Sequence, residues 1–390
     1  MKNTAVSRWN SAMEQNYGVP GISLVKGKGL YVWDDSGKKY LDFIGGIATN
    51  VVGHADSEVI KAVNLQIRKL GHVSNLYSNP NGLELAEKLQ KMVGSQTKVF
   101  FCNSGAEANE AALKISRLTG KKKIISTVGS FHGRTIGALS LTGQSAKRAP
   151  FIPLLNGVKF VPYGNIRAME RAITPRIAMV IVEAIQGENG VVVPPEGYLK
   201  RVRELCDARG VLLCIDAVQT GMGRTGTWFG FEHEGVVPDI ITMAKGLGGG
   251  LPLGAMLTVG EKVPHFLPGQ HGSTFGGNPV STAAGLAAIK VIESKKLMKS
   301  AVKMEKSIRS AISDLDEVDV VRGRGLLLGI VLKKNVAHEV VAVCAERGLL
   351  VNATSEKVIR IAPALTVTAI QVSEFSSKFI SALKEVAANG

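Results

Sequence analysis

The chain has 390 residues, long enough for two or three domains, and at 45% hydrophobic and 20% charged it has the composition of a globular protein with a sizeable core. Its 47 basic and 32 acidic residues leave a formal net charge of +15. The basic residues are interleaved with acidic and apolar ones, without a basic run or an aromatic RNA-binding signature, which argues against a nucleic-acid partner and for attraction of carboxylate-bearing substrates.

Residues 1–45 read as an arm followed by a hairpin, with GKGLYVWDDSGKKYLDF alternating around the turn Asp35-Ser36-Gly37. The arm has no apolar signal core and no run reaches membrane-spanning length, so a cytoplasmic protein without a membrane partner is expected. A Gly-rich bend leads to a helix with Asp56 or Ser57 as N-cap, and Leu83–Met92 has helical periodicity. His54 and His72 lack acidic or cysteine partners at ligand spacing, so both are expected to be structural and no metal site is expected.

Lys98–Cys102 reads as a strand running into Asn103-Ser104-Gly105-Ala106-Glu107 and a helix from Ala108 to Leu118. A small-residue turn opening a helix presents free N–H groups to an anion, although an ordinary cap has the same appearance. A second strand, Lys123–Thr127, precedes Ser130-Phe131-His132-Gly133-Arg134-Thr135, where an aromatic beside an arginine is most often plain packing. The apolar run Ala178–Val182 is followed by Glu183-Ala184-Ile185-Gln186-Gly187-Glu188-Asn189-Gly190, then a helix over Tyr198–Ala208 closed by Gly210.

Two short buried strands follow, each ending in a chemically loaded residue. Val211–Ile215 ends at Asp216, and Asp239–Met243 ends two residues before Lys245. Ligands gather at the carboxyl ends of strands in open α/β sheets, so this acid and this amine are placed to face one crevice. Gly-Leu-Gly-Gly-Gly after Lys245 lets backbone approach a ligand closely, and a desolvated lysine there suits Schiff-base chemistry. Beyond residue 280, helices over 280–294, 296–314, 337–347 and 373–388 alternate with strands at 318–322, 326–332, 349–352 and 357–361, the pattern of a small α/β domain. Cys102, Cys206, Cys214 and Cys344 lie far apart or inside apolar runs, so buried reduced thiols are expected. No G-x-G-x-x-G follows a predicted first strand, which leaves no dinucleotide site.

An aspartate, then Gln-Thr-Gly-x-Gly-Arg-Thr-Gly, then Ala-Lys-Gly-Leu-Gly-Gly-Gly-Leu-Pro-Leu-Gly-Ala resembles the core of the class III (subgroup II) aminotransferases. FFCNSGAEANEAALK from Phe100, FHGRT from Phe131 and HGSTFGGNP from His271 extend the resemblance over nearly the whole chain. It implies an α/β architecture of the type I fold of pyridoxal 5'-phosphate (PLP) enzymes: a large PLP domain over 46–278 with a mostly parallel central sheet, and a smaller α/β domain over 279–390 with which 1–45 packs. It further implies that Lys245 carries the cofactor as a Schiff base, that Asp216 pairs with its ring nitrogen, and that Gln219 bonds its phenolic oxygen. Ser104, Gly105 and Ala106 cradle the phosphate, Phe131 and Val218 cover the ring, and Thr274 binds the phosphate of a neighbouring subunit's cofactor, which makes the functional unit a homodimer. Arg134 and Arg360 are the implied substrate-carboxylate residues, with Ser273 near the substrate.

The implied activity is transamination of a terminal amine with 2-oxoglutarate as acceptor. N2-acetylornithine leads among the donors, followed by ornithine, succinyl-diaminopimelate and 4-aminobutyrate. An aminomutase of the same fold is expected to carry Thr-Glu-Ala after Ser-Gly, where this chain has Ala106-Glu107-Ala108. One departure stands out. Relatives have glutamate after the cofactor aspartate, where this chain has Ala217, so Arg360 is expected to lie open to any carboxylate unless Glu188 or Glu183 takes that partner's place.

Overall fold

The strand Ile177–Glu183 is apolar at every position except its last and buried throughout. Such a strand needs both faces covered and a neighbour on each edge, which is the situation at the middle of a parallel sheet. The computed structural model, which describes residues 5–94 and 96–389, places it there. The central sheet runs in the order Thr97–Cys102, Gly254–Val259, Ile240–Met243, Leu212–Asp216, Ile177–Glu183, Lys123–Thr127, Val158–Val161. Gly254–Val259 pairs antiparallel with both of its neighbours, and the remaining pairs are parallel.

The parallel register sets Glu183 beside Asp216 and Asp216 beside Thr242, so the carboxyl ends of three adjacent strands finish together. The helix Gly105–Arg117 lies across these strands. It starts three residues earlier than its sequence suggests because Ser104 caps it: Ser104 Oγ accepts from Glu107 N at 3.2 Å, while the Glu107 carboxylate accepts from Asn103 N at 2.6 Å. This reciprocal arrangement is a strong helix start.

A four-stranded antiparallel sheet of Val318–Arg324, Leu327–Leu332, Val358–Ile361 and Asn352–Ser355 forms a separate layer. The N-terminal strands Leu24–Lys28, Tyr31–Asp34 and Lys39–Asp42 form a meander joined in parallel by Leu349–Leu350. The single strand expected over 349–352 is therefore split between two sheets. Phe43 stacks on Phe375 at 4.4 Å between centroids, and Tyr31 donates to Glu374 at 2.8 Å, tying the meander to the last helix, Ala369–Asn389. The helix Pro279–Ser294 packs on Ser57–Lys69 and Pro80–Val93. Asp56 proves to be the N-cap of Ser57–Lys69.

His54 is a structural residue: its Nε2 lies 2.8 Å from Asp42, whose other oxygen accepts from Ile44 N and Gly45 N. The four cysteines are buried and unpaired. No helix among the described residues is long and apolar enough to cross a membrane, and none of their His, Cys, Asp and Glu groups is arranged to hold a metal ion.

Candidate active site

A cavity of about 250 Å³ opens where the three strand ends meet the start of the helix Gly105–Arg117. Asp216 and Lys245 both line it, joined by Gly105, Ala106, Phe131, Arg134, Val218 and Gln219. The two residues that end separate strands thus face one crevice.

Asp216 is fixed from three directions. Val218 N donates to Oδ1 at 3.0 Å, and Asn109 Nδ2 donates to Oδ2 at 2.8 Å. His132 Nδ1 lies 2.8 Å from the same oxygen, and an ionised carboxylate offers only lone pairs, so this nitrogen carries the hydrogen. Asn109 also donates to the His132 carbonyl at 2.7 Å, which locks aspartate, histidine and helix together. Neither Asn109 nor the contact of His132 with Asp216 stands out in the sequence. The available signal was a single amide on the alanine-rich helix, four residues after Gly105 and so on its face.

Lys245 is half-buried at the cavity wall, and among the described residues its amine has no hydrogen bond or ion pair. Burial, with a smaller contribution from Arg360, pulls that amine down to about 8 against the opposing pull of Glu188, Asp216 and Glu183. Its backbone is left-handed at φ +48°, a conformation costing about 1–3 kcal/mol at a non-glycine residue. Close packing of the next residue holds it there: a Cβ on Gly246 would stand 2.5 Å from Val51.

The helix start is shaped for close approach. A Cβ on Gly105 would stand 2.8 Å from Val218, so only glycine lets the backbone and Val218 meet. Gly105 and Ala106 present first-turn N–H groups beside the cavity, while Ser104 serves as the cap outside its lining. Glu183 is also buried here. Burial and the adjacent Asp216 carboxylate push it well above the ordinary carboxylate range, and its Oε2 accepts from Phe131 N at 3.1 Å.

Arg360 lies just outside the lining, and it is not open: Glu188, one of the two acids named as stand-ins for the glutamate absent at position 217, is its partner. The guanidinium is buried and paired with Glu188. Arg360 Nε donates to Asn352 Oδ1 at 3.1 Å, and Nη1 donates to Gly187 O and Gln219 Oε1, each at 3.3 Å. Gln219 Nε2 donates in turn to Glu188 Oε1 at 2.8 Å, so the Gln219 amide is committed to this ion pair. Burial pushes Glu188 up, but Arg360, Lys245 and these hydrogen bonds outweigh it and hold the acid down at about 2. Ala217 instead sits in the main hydrophobic core.

Arg134 is exposed, 5.5 Å from the Phe131 ring centroid, and has no acidic partner among the described residues. Ser273 Oγ accepts from Asn103 Nδ2 at 3.2 Å, which moors its loop beside the helix start. Thr274 is exposed and lies outside the cavity of its own chain.

Residues 12–383 match the family described as aminotransferase class-III, and the chain belongs to that family. It is a PLP-dependent aminotransferase. It is 52% identical to an acetylornithine aminotransferase of Mycolicibacterium smegmatis over 95% of this chain and 96% of that one. It is also 52% identical to one of Streptomyces coelicolor, over 92% and 90%. Among solved structures, the ornithine aminotransferase of Toxoplasma gondii superposes with a TM-score of 0.93 at 32% identity, covering 98% of this chain and 95% of that one. The acetylornithine aminotransferase of Elizabethkingia anophelis gives 0.86 at 33% identity, covering 97% and 98%.

The residues present fit the cofactor. An amine of depressed basicity, a carboxylate fed by three donors and a helix start without a side chain at Gly105 are grouped around one cavity.

Proposed function

We propose that this chain moves the terminal amino group of N2-acetyl-L-ornithine to 2-oxoglutarate, giving N-acetyl-L-glutamate 5-semialdehyde and L-glutamate, a cytoplasmic step of arginine biosynthesis. The observation that carries the reading is the placing of Lys245 and Asp216 in one cavity, with Arg134 in its wall and Arg360 reached through Gln219. A substrate with an amine and a carboxylate several bonds apart suits that layout, and the names of the relatives point to the same donor.

Pyridoxal phosphate, when bound, supplies an aldehyde that takes up the amine and a ring that withdraws electrons from the carbon bearing it. Asp216, held by Asn109 and His132, keeps a proton on the ring nitrogen. Ser104, Gly105 and Ala106 would hold the phosphate, and Phe131 and Val218 would pack against the ring. Gln219 is assigned to the phenolic oxygen, a contact that requires its amide to be shared with Glu188. Lys245 Nζ, the covalent anchor, takes the proton from the amine-bearing carbon of the substrate. Burial of this amine, which draws it down to about 8 in the cofactor-free chain, favours the neutral form such a transfer needs. Arg134 binds one substrate carboxylate, Ser273 lies near the substrate, and Arg360 takes a second carboxylate once Glu188 releases it.

Thr274 is assigned to the phosphate of the partner subunit's cofactor, and its exposure outside its own cavity supports a homodimer with shared sites. We assign 46–278 to the large domain, and 279–390 to the small domain with which 1–45 packs. A half-reaction screen of N-acetylornithine, ornithine, succinyl-diaminopimelate and 4-aminobutyrate, followed by visible absorbance, tests the donor. The first is expected to convert fastest, and a faster conversion of any other overturns the assignment. Lys245→Ala is expected to abolish turnover and the Lys245-linked cofactor absorbance.

A further inference from the structure

Lys147 is not used by the reading above, yet its position is unusual for a lysine. It lies in the short helix Ser145–Arg148, half-buried, with its amine 5.6 Å from the centroid of the Phe131 ring. Arg134 approaches the same ring at 5.5 Å, and Phe131 and Arg134 both line the cavity. Two cations therefore gather around one aromatic ring of the cavity wall, Lys147 from just outside the lining, and neither has an acidic partner among the described residues. Among the described residues the only hydrogen bond of the Lys147 amine is to the Gln144 side chain, whose own amide donates to the Gly129 carbonyl at 3.0 Å.

Gly129 in turn abuts Asn189, the residue after Glu188, since a Cβ there would collide with the Asn189 amide. The lysine thus stands between the exposed arginine and the segment carrying the partner of the buried one. The charges agree with this placement: burial and then Arg134 depress the Lys147 amine, while Glu188 pulls the other way.

Cation–π attraction of about 0.5–1 kcal/mol per exposed site does not explain bringing like charges together without an anion. We infer that Lys147 is a substrate-binding residue that shares with Arg134 the carboxylate of the incoming amine donor or oxo acid, so that this end of the substrate is gripped by two cations around Phe131. The inference rests on Arg134 being a carboxylate residue.

The test is steady-state kinetics of the holoenzyme with N-acetylornithine and 2-oxoglutarate, comparing Lys147→Met, Lys147→Arg, Arg134→Gln and, as a net-charge control, Lys384→Met on the exposed face of the last helix. Loss of one charge-assisted contact is expected to raise KM about tenfold in Lys147→Met with kcat within about twofold, and Lys147→Arg is expected to recover most of it. Glutarate binding, followed by the visible spectrum, is expected to weaken in parallel, while Lys384→Met leaves KM and glutarate binding at wild-type values. If Arg134→Gln raises KM and Lys147→Met does not, the role of Lys147 is refuted and that of Arg134 stands. If neither variant changes KM, the assignment of Arg134 fails first. Equal impairment in Lys147→Arg and Lys147→Met, or a fall in kcat without a change in KM, would show a structural role and also overturn the inference.

Discussion

Glu188→Gln isolates the charge that closes Arg360. The two side chains are in direct contact, with 3% of the arginine and 22% of the glutamate side chain exposed, so solvent screens them weakly. Opposite charges about 4 Å apart at an effective dielectric near 20 attract by roughly 4 kcal/mol. Glutamine keeps the shape and can still accept from Arg360, so the substitution removes charge and little volume. Arg360 retains Asn352, Gly187 and Gln219 as acceptors, but the buried guanidinium loses its counter-charge, and breaking such a pair costs about 3–5 kcal/mol.

Two measurements follow from that one change. The melting temperature of the free holoenzyme is expected to fall by several degrees, since in a chain of this length each kcal/mol is worth about 1 °C. Glutarate is expected to raise the melting temperature of the variant more than that of the wild type, because its carboxylate no longer competes with Glu188. If about 1.4 kcal/mol of the released energy appears in binding, KM for 2-oxoglutarate falls about tenfold. A donor with one carboxylate, held at Arg134, gains no such advantage, so the kcat/KM ratio shifts toward the oxo acid.

The pH dependence carries a sign. Glu188 is held at about 2 against an ordinary 4.5, so its contribution to stability is complete above 4.5 and is lost as pH falls toward 2. The stability gap between wild type and variant should close over that window. An unchanged melting temperature together with equal glutarate shifts in the two proteins would refute the reasoning.

Three further perturbations test other parts of the site. Because burial lowers Lys245 to about 8, the rate at which cofactor-free protein captures pyridoxal phosphate, read at visible wavelengths, should rise with pH and have its midpoint near 8; a midpoint near 10 would refute the effect of burial. Gly133 has φ +134°, and a Cβ there would stand 2.6 Å from the Ala106 Cβ and 2.8 Å from its Cα. Gly133→Ala is therefore expected to cost more than about 1 kcal/mol in denaturant titration and to weaken cofactor retention in gel filtration, and unchanged retention would detach Ala106 from the phosphate cradle. Asn109→Leu removes the donors to Asp216 and the His132 carbonyl. At about 1.5–3 kcal/mol for a hydrogen bond to a charged group, cofactor affinity measured by fluorescence titration should fall at least tenfold, and a change below twofold would show that His132 and Val218 alone suffice to fix Asp216.

The parts of the site legible from sequence were those encoded locally. Asp216 and Lys245 each end an apolar run, and Ser104 opens a helix, so chain order alone places them at one sheet edge. Gly254–Val259 was missed because Leu-Gly-Gly-Gly-Leu-Pro-Leu-Gly reads as a ligand loop, whereas its continuation forms the one antiparallel strand of the central sheet. Val158–Val161 is a short edge strand whose alternation is too brief to register. The pairing of Arg360 with Glu188 spans 172 residues, and no spacing rule connects them. Glu188 was named only as one of two candidate stand-ins for the glutamate absent at position 217, and the choice between it and Glu183 needed the fold: Glu183 accepts from Phe131 N while Glu188 meets Arg360.

Burial explains why the site's cations are treated differently. An exposed cation stays hydrated and gains little from an internal acid, so leaving Arg134 unpaired at the cavity wall costs little and keeps it available. A buried guanidinium has no such option, and in the proposed function Arg360 requires Glu188 until a substrate carboxylate arrives. Arg224 shows the alternative within the same chain: fully buried, its side chain donates, among the described residues, only to the carbonyls of Leu326 and Pro363, and burial alone drags it down to about 9. An arginine stabilised only by carbonyls can brace two layers but offers nothing a substrate can displace. Arg360 differs because its partner is itself a carboxylate, linked to the cavity through Gln219, so in the proposed function a substrate replaces like with like and the buried guanidinium is not left uncompensated. On this reasoning the exposed anchor determines how fast a carboxylate is caught, and the buried, internally paired anchor determines which carboxylates are kept.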